Sequence, residues 1–255
     1  MAKLTTETFE RPDDLSDSED PRVLYARSYL LTRMVIGGIG VLLPTLLFMT
    51  DGLFLRGALS VRGSLSAYYH TSARDLFVAA LCITGVMLLT YMAGQASTWD
   101  FWLSSTAGLA VLGVAFLPTK RPNLGATAPL CGPDPIAVPP GCTQLQQALG
   151  ETTVATIHYI SAGIFIMSLA AICFLFAHRE QIHTERTGRA RLHRICGVLI
   201  LAAVAWVGLG RAINVDIFSF TPLYVGEVVS VYAFGLSWFV KALDLLTSML
   251  HRLVR

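Results

Sequence analysis

LFVAALCITGVMLLTYMAG, Leu76–Gly94, is 19 consecutive residues without a charge. A helix rising about 1.5 Å per residue needs roughly 20 apolar residues to cross the ~30 Å hydrocarbon core of a bilayer. Backbone amides and carbonyls in hydrocarbon find no water and must pair within the segment, so this stretch reads as a helix. The period-two alternation of a membrane barrel strand is missing. Five further windows of the same character lie at about Met34–Thr50, Phe101–Pro118, Val154–Ala177, Ile195–Gly210 and Tyr224–Leu246. Composition agrees: 54% of the 255 residues are hydrophobic, 14% are charged and the mean hydropathy is +0.59, outside the range of ordinary soluble domains. The expected fold is all-α, a six-helix transmembrane bundle over residues 29–250. Gly37, Gly38 and Gly40 in the first span, and Gly208 and Gly210 in the fifth, suit close helix approach, and Pro44 is expected to kink the first span.

Six spans place both termini on one side. The link HREQIHTERTGRARLHR, His178–Arg194, carries Arg179, Arg186, Arg189, Arg191 and Arg194, which predicts a cytoplasmic loop and therefore cytoplasmic termini. Arg22, Arg27, Arg33, Arg252 and Arg255 fall on that side; the thinner set Arg56, Arg62, Arg74, Lys120, Arg121 and Arg211 falls on the other. The expected location is a plasma membrane, the inner membrane of a bacterium, with outer loops periplasmic or extracellular. Residues 1–28, with the run DDLSDSED, read as a disordered acidic cytoplasmic tail without the apolar core of a signal peptide, and 251–255 as the cytoplasmic C-terminus. The basic loop suits anionic lipid headgroups; it has neither the fold nor the interleaved aromatics of a nucleic-acid binder, so membrane lipids are the expected partners.

The long outer loop, 119–153, holds six prolines and four glycines between Thr119 and Thr152, which argues against a long helix. Cys131 and Cys142 flank its proline-rich turn, and in an oxidising compartment they are expected to form a disulfide adding about 2–3 kcal/mol by restricting the unfolded chain. A two-cysteine metal site lacks nearby histidines. Cys82, Cys173 and Cys196 lie inside spans as small apolar packers.

Ahead of the opening stretch stands GSLSAYYHTSARD, Gly63–Asp75. The expected topology brings His158 in the fourth span, Arg211 at the outer end of the fifth and Glu227 near the start of the sixth to the same level. Ionisable groups in hydrocarbon are costly and face the bundle interior or a cavity. The sequence therefore predicts an outward polar pocket lined by Ser66, His70, Arg74, Asp75, His158, Arg211 and Glu227. Arginine in it suits an anionic group, and histidine and glutamate suit hydrogen bonding, so the expected ligand is amphiphilic or small and anionic and the role that of a sensor or accessory protein, without a cofactor. Structural readings stand beside this one. Ser72–Asp75 has the form of a capping box, Tyr68 and Tyr69 fit an interfacial aromatic belt, and Arg211 with Glu227 can form a static bridge in a purely structural subunit. Asp100 either caps the third span or answers an arginine of the basic loop.

GSLSAYYHTSARDLFVAALC resembles an uncharacterised family of small bacterial multi-pass membrane proteins, which implies the fold and no activity. Ser66 and His70 in SAYYH also resemble the serine-x-x-x-histidine signature of the alkaline ceramidase and adiponectin-receptor superfamily, seven-helix membrane enzymes that hydrolyse lipid amides with zinc. That resemblance implies a zinc ligand at His70 with Ser66 beside the metal. The late histidine-x-x-x-histidine pair of those enzymes is missing here, so a three-ligand zinc site would need His70, His158 and Glu227. A zinc-dependent membrane lipid hydrolase at the same pocket is thus the alternative function.

Overall fold

The computed structural model describes residues 21–55, 61–91, 97–122, 125, 128–133, 138–183, 187–213 and 220–253. Among these the chain is all-helical: α1 Pro21–Phe48, α2 Arg74–Thr90, α3 Trp99–Phe116, α4 Gln144–Leu149, α5 Glu151–His183, α6 Thr187–Ile213 and α7 Pro222–Leu253. A π-helical turn, Met49–Leu55, extends α1, and a 3₁₀ turn, Ser66–His70, precedes α2. Five segments are long and apolar enough to cross a membrane: Ser28–Gly52, Trp99–Phe116, Glu151–Ile182, Gly188–Ile213 and Pro222–Leu243. The expected second span, Leu76–Gly94, falls on α2, which covers Arg74–Thr90, 17 residues; its last residues, 92–94, lie outside the described residues. α1 begins at Pro21, inside the segment expected to be a disordered tail; proline suits a first helical position because its missing N–H has no intrahelical partner there. Residues 1–20 of that tail, and residues 254 and 255, lie outside the described residues.

The six long helices pack as a ring in chain order. α1 lies against α7 and α2, α2 against α3, α3 against α5, α5 against α6 and α6 against α7, while α5 also touches α7 across the interior. One end of the ring, the loop end, carries residues 61–73 and the described residues of 117–150; the other, the basic end, carries the end of α5 and the start of α6. α3 is capped by Thr98, whose side chain accepts from the Phe101 amide, which leaves Asp100 free to pair with Arg179, the second of its two expected roles. The Ser72–Asp75 capping box does not form. Ala73 occupies the N-cap position of α2 without a side-chain bond, and the Thr71 hydroxyl accepts from the Ala73 amide at 3.1 Å.

The α1–α7 crossing is set by glycine. A Cβ built on Gly37 would lie 2.6 Å from the Phe239 amide nitrogen, one on Gly40 2.8 Å from the Gly235 Cα, and one on Gly235 2.7 Å from the Gly40 carbonyl carbon. Backbones meet here with no side chain between them, which gains dispersion contact where lipid offers no hydrophobic drive to associate. Gly37 and Gly40 thus have the expected use and Gly210 abuts Pro222, whereas Gly38 and Gly208 have nothing within 4 Å of a built Cβ.

At the basic end Arg33 of α1 sits among rings of α1, α5 and α7 and that of Tyr91, just past α2. Its side chain is buried, with the guanidinium carbon 4.1 Å from the Phe176 ring centroid, 4.9 Å from Tyr29, 5.3 Å from Tyr91 and 5.5 Å from Trp238. Nε donates to the Tyr91 hydroxyl at 2.5 Å and Nη2 to the Tyr29 hydroxyl at 3.0 Å. Aromatic faces and phenol oxygens replace part of the hydration that the cation loses on burial. Around this group Asp100 of α3 pairs with Arg179 of α5, Glu180 of α5 pairs with Lys241 of α7, and His193 of α6 bonds the Ser237 hydroxyl of α7 at 2.8 Å.

Gly235→Leu is expected to force α1 and α7 apart and lower the thermal unfolding midpoint in detergent, at a cost of roughly 1–3 kcal/mol or more for overpacking against backbone. Gly38→Ala, at an open position, is expected to leave the midpoint within about a degree of wild type.

Candidate ligand-binding cleft

The segment Gly63–His70 is docked onto α7 by two side chains of that helix and its entry. The Thr221 hydroxyl donates to the Gly63 carbonyl at 2.5 Å, and Glu227 accepts the Leu65 amide at 2.5 Å together with bonds from the backbone and side chain of Ser66. The first amides of any helical turn lack partners, and the residue preceding this 3₁₀ turn, Leu65, has no side chain to supply one. A carboxylate from another helix does so instead. Tyr68 is fully buried near Tyr224 of α7, and burial raises its phenol above the ordinary tyrosine range. Before the turn, Arg62 makes a two-pronged bond to Asp51 in the π-helical turn, Nε to Oδ2 at 2.7 Å and Nη2 to Oδ1 at 3.0 Å.

From the far end of this turn His70 reaches the exit of α3. Its Nε2 lies 3.0 Å from the Thr119 carbonyl and 3.2 Å from the Thr119 hydroxyl. A carbonyl only accepts, so Nε2 carries the proton and Nδ1 keeps a lone pair. Two residues earlier the Leu117 carbonyl bonds Nδ1 of His158, which is completely buried in α5. The Thr119 carbonyl also accepts from the side-chain amide of Gln146, which closes a capping box with Thr143 at the start of α4.

The remainder of the loop folds around one carboxylate. Glu151, the first residue of α5, accepts from the Arg121 amide at 2.7 Å, from Arg121 Nη2 at 2.9 Å and from the Cys131 amide at 3.0 Å, while its own amide donates to the Cys131 carbonyl at 2.9 Å. Arg121 further donates through Nη1 to the Pro140 carbonyl at 3.1 Å and through Nη2 to the Pro129 carbonyl at 2.7 Å. The expected disulfide is present: Cys131 and Cys142 have their Cα atoms 5.8 Å apart and their sulfurs bonded. Gly141 and Gly150 take positive φ, +85° and +86°, which lets the chain reverse next to Cys142 and between α4 and α5.

Between these two bodies lies a cleft of about 380 Å³, with Tyr69, His70, Thr71 and Arg74 on one wall and Arg121, Pro122, Pro140, Gly141 and Thr143 on the other. The size suits a small ligand or a headgroup. Arg74 is 54% exposed and touches Asp75 at 3.4 Å through Nε alone. Burial pushes the His70 imidazole below its ordinary value, so it is neutral at pH 7.

The structure sorts the seven expected pocket residues into separate groups. His70 and Arg74 line the cleft. Ser66 and Glu227 bond each other beside it, holding the turn in place. His158 is buried beneath it at the α3 exit. Asp75 is 93% exposed beside Arg74, and Arg211 is exposed at the end of α6 with no ion pair to Glu227 among the described residues. His70, His158 and Glu227 each engage different backbone groups, and among the described residues no cluster of three His, Cys, Asp or Glu side chains is spaced to hold a metal ion. The sequence reading missed Arg121 and Glu151. Their available signal was an acidic residue at the first position of an apolar helix, thirty residues after an arginine at the end of the preceding one. Compared with family models, with curated proteins and with solved structures, the chain matches none of them.

The His70 shift gives a pH dependence of known sign. Its folded-state value lies below the unfolded value of about 6.5, so the unfolded chain takes up the proton first. The stability contributed by neutral His70 is complete above about pH 6.5 and is lost as pH falls through the lower, folded value. Thermal midpoints are expected to fall further between pH 7 and pH 5 in wild type than in His70→Gln, which keeps a donor for Thr119; equal falls would remove His70 from this role.

Proposed function

We propose that this chain is an integral plasma-membrane protein that crosses the bilayer six times, with the basic end in the cytoplasm, and that its cleft at the outer face binds an amphiphilic or small anionic ligand in a sensing or accessory role. The sixth crossing is α2. At 17 residues it spans about 26 Å, and it lies in the ring between α1 and α3 with the 3₁₀ turn ahead of it and Tyr91 behind it. An even count then puts both termini with the arginine-rich link, and the Cys131–Cys142 disulfide on the oxidising side. A bacterial inner membrane, with the loop end facing the periplasm, fits this arrangement.

The observation that carries the binding role is the cleft itself: a half-free guanidinium at Arg74 and a neutral imidazole at His70 face a wall held rigid by the Arg121–Glu151 pair. A purely structural subunit needs no such opening, and the interhelical bridge between Arg211 and Glu227 that would mark one is not made.

Two measurements test this. A membrane-impermeant thiol reagent applied to intact cells after mild reduction is expected to label Cys131 and Cys142 and to leave cysteines introduced in the α5–α6 link unlabelled; the reverse pattern inverts the topology. Calorimetric titration of short-chain anionic amphiphiles into the nanodisc-embedded protein is expected to show one site. Loss of its charge-assisted bonds in Arg74→Gln should weaken that site about tenfold, while Arg211→Gln leaves it unchanged.

A further inference from the structure

We infer that the occupant of this cleft is one singly charged phosphodiester headgroup bearing a hydroxyl, presented by a lipid of the outer leaflet, with Arg74 as its charge partner. The inference rests on the binding role proposed above and narrows it. Two guanidiniums line the cleft, and only one is available. Arg121 spends Nε and Nη2 on Glu151 and donates from Nη1 and Nη2 to the Pro140 and Pro129 carbonyls, so its charge is matched by a carboxylate whose side chain is completely buried. Arg74 has more than half its side chain exposed and a single long contact to Asp75. A ligand with one negative charge therefore meets one available cation, and a second charge would find no second available cation on the lining.

The remaining lining groups favour a hydroxyl. With the His70 proton fixed on Nε2 by the Thr119 carbonyl, Nδ1 is an acceptor, and Tyr69, which carries a phenol hydroxyl, is on the same wall. The apolar surroundings favour a lipid over a soluble anion. α4, which begins next to the cleft residue Thr143, exposes Leu145 and Leu149 one turn apart, and Leu130 and Val138 of the same loop are more than half exposed. Apolar side chains around a polar cleft suit a surface that rests on acyl chains with the cleft at headgroup level.

The test is native mass spectrometry of the full chain from nanodiscs of zwitterionic lipid, titrated with three probes: a phosphodiester lipid with a glycerol headgroup, a phosphomonoester lipid with the same acyl chains, and a soluble glycerophosphodiester. One phosphodiester lipid is expected to bind per chain. The phosphomonoester should bind no more than about twofold tighter, the soluble compound should fail to compete at about 100-fold excess, and Arg74→Gln, with an unchanged thermal midpoint, should weaken the lipid about tenfold. A phosphomonoester preference of about tenfold or more would mean a second available cation and would overturn the charge count. Effective competition by the soluble compound would overturn the lipid source; both outcomes leave a ligand-binding cleft in place. Failure of all three probes, together with no binding of other anionic amphiphiles, would sink the binding role as well.

Discussion

The loop end depends on the carboxylate of Glu151. Fully buried at the first position of α5, it takes the backbone and the guanidinium of Arg121 and the amide of Cys131, and so ties two points of a proline-rich loop to the mouth of the bundle. The Cys131 amide is buried in this contact, and removing Arg121 would leave the buried Glu151 carboxylate without its cation, at a cost of about 3–5 kcal/mol. The disulfide and the Thr143–Gln146 box act on the same loop.

The same device recurs around the mouth. Asp51 holds Arg62, and Glu227 holds the amides that open the SAYYH turn, so three acidic side chains at the ends of helices each organise one connecting segment. Carboxylates suit this position. Helix ends at a membrane boundary leave amides that neither hydrocarbon nor the helix can satisfy, and one carboxylate accepts several of them at once. At the basic end the pairs Asp100–Arg179 and Glu180–Lys241 brace α5 against α3 and α7, and Arg33 sits among rings contributed by several helices. The cleft is the space left between two bodies fixed by separate carboxylates, which is why its walls come from segments far apart in the chain.

Much of the helical scaffold was legible in the sequence because apolar length alone dictates a helix in hydrocarbon. The windows from Val154, Ile195 and Tyr224 fall within helices, the one from Phe101 overruns α3 by two residues, and Gly37 and Gly40 of the first window do meet α7. The disulfide was legible from two cysteines flanking a proline-rich turn. The site was legible only in part. Ser66, His70, Arg74 and Glu227 do lie near one another at the loop end, but level along the membrane normal fixes one coordinate and leaves rotation about each helix open. That rotation turns Asp75 and Arg211 outward and buries His158 under the α3 exit. Ser72 has no cap role because α2 starts one residue later than the box requires, with Ala73 at the N-cap position and the Ala73 amide taken by the Thr71 hydroxyl. Arg121 and Glu151 escaped notice because each looked like an ordinary charge at a helix boundary, and nothing in a linear pattern reports that a thirty-residue loop brings them together.

The claim that one carboxylate organises the loop-end wall of the cleft is tested most directly by amide hydrogen exchange in the Glu151→Ala chain. The account predicts that the Arg121 and Cys131 amides, both slow in wild type, become fast together while amides in the middle of α3 and α5 keep their protection. Unchanged protection at 121 and 131 in that variant would contradict it.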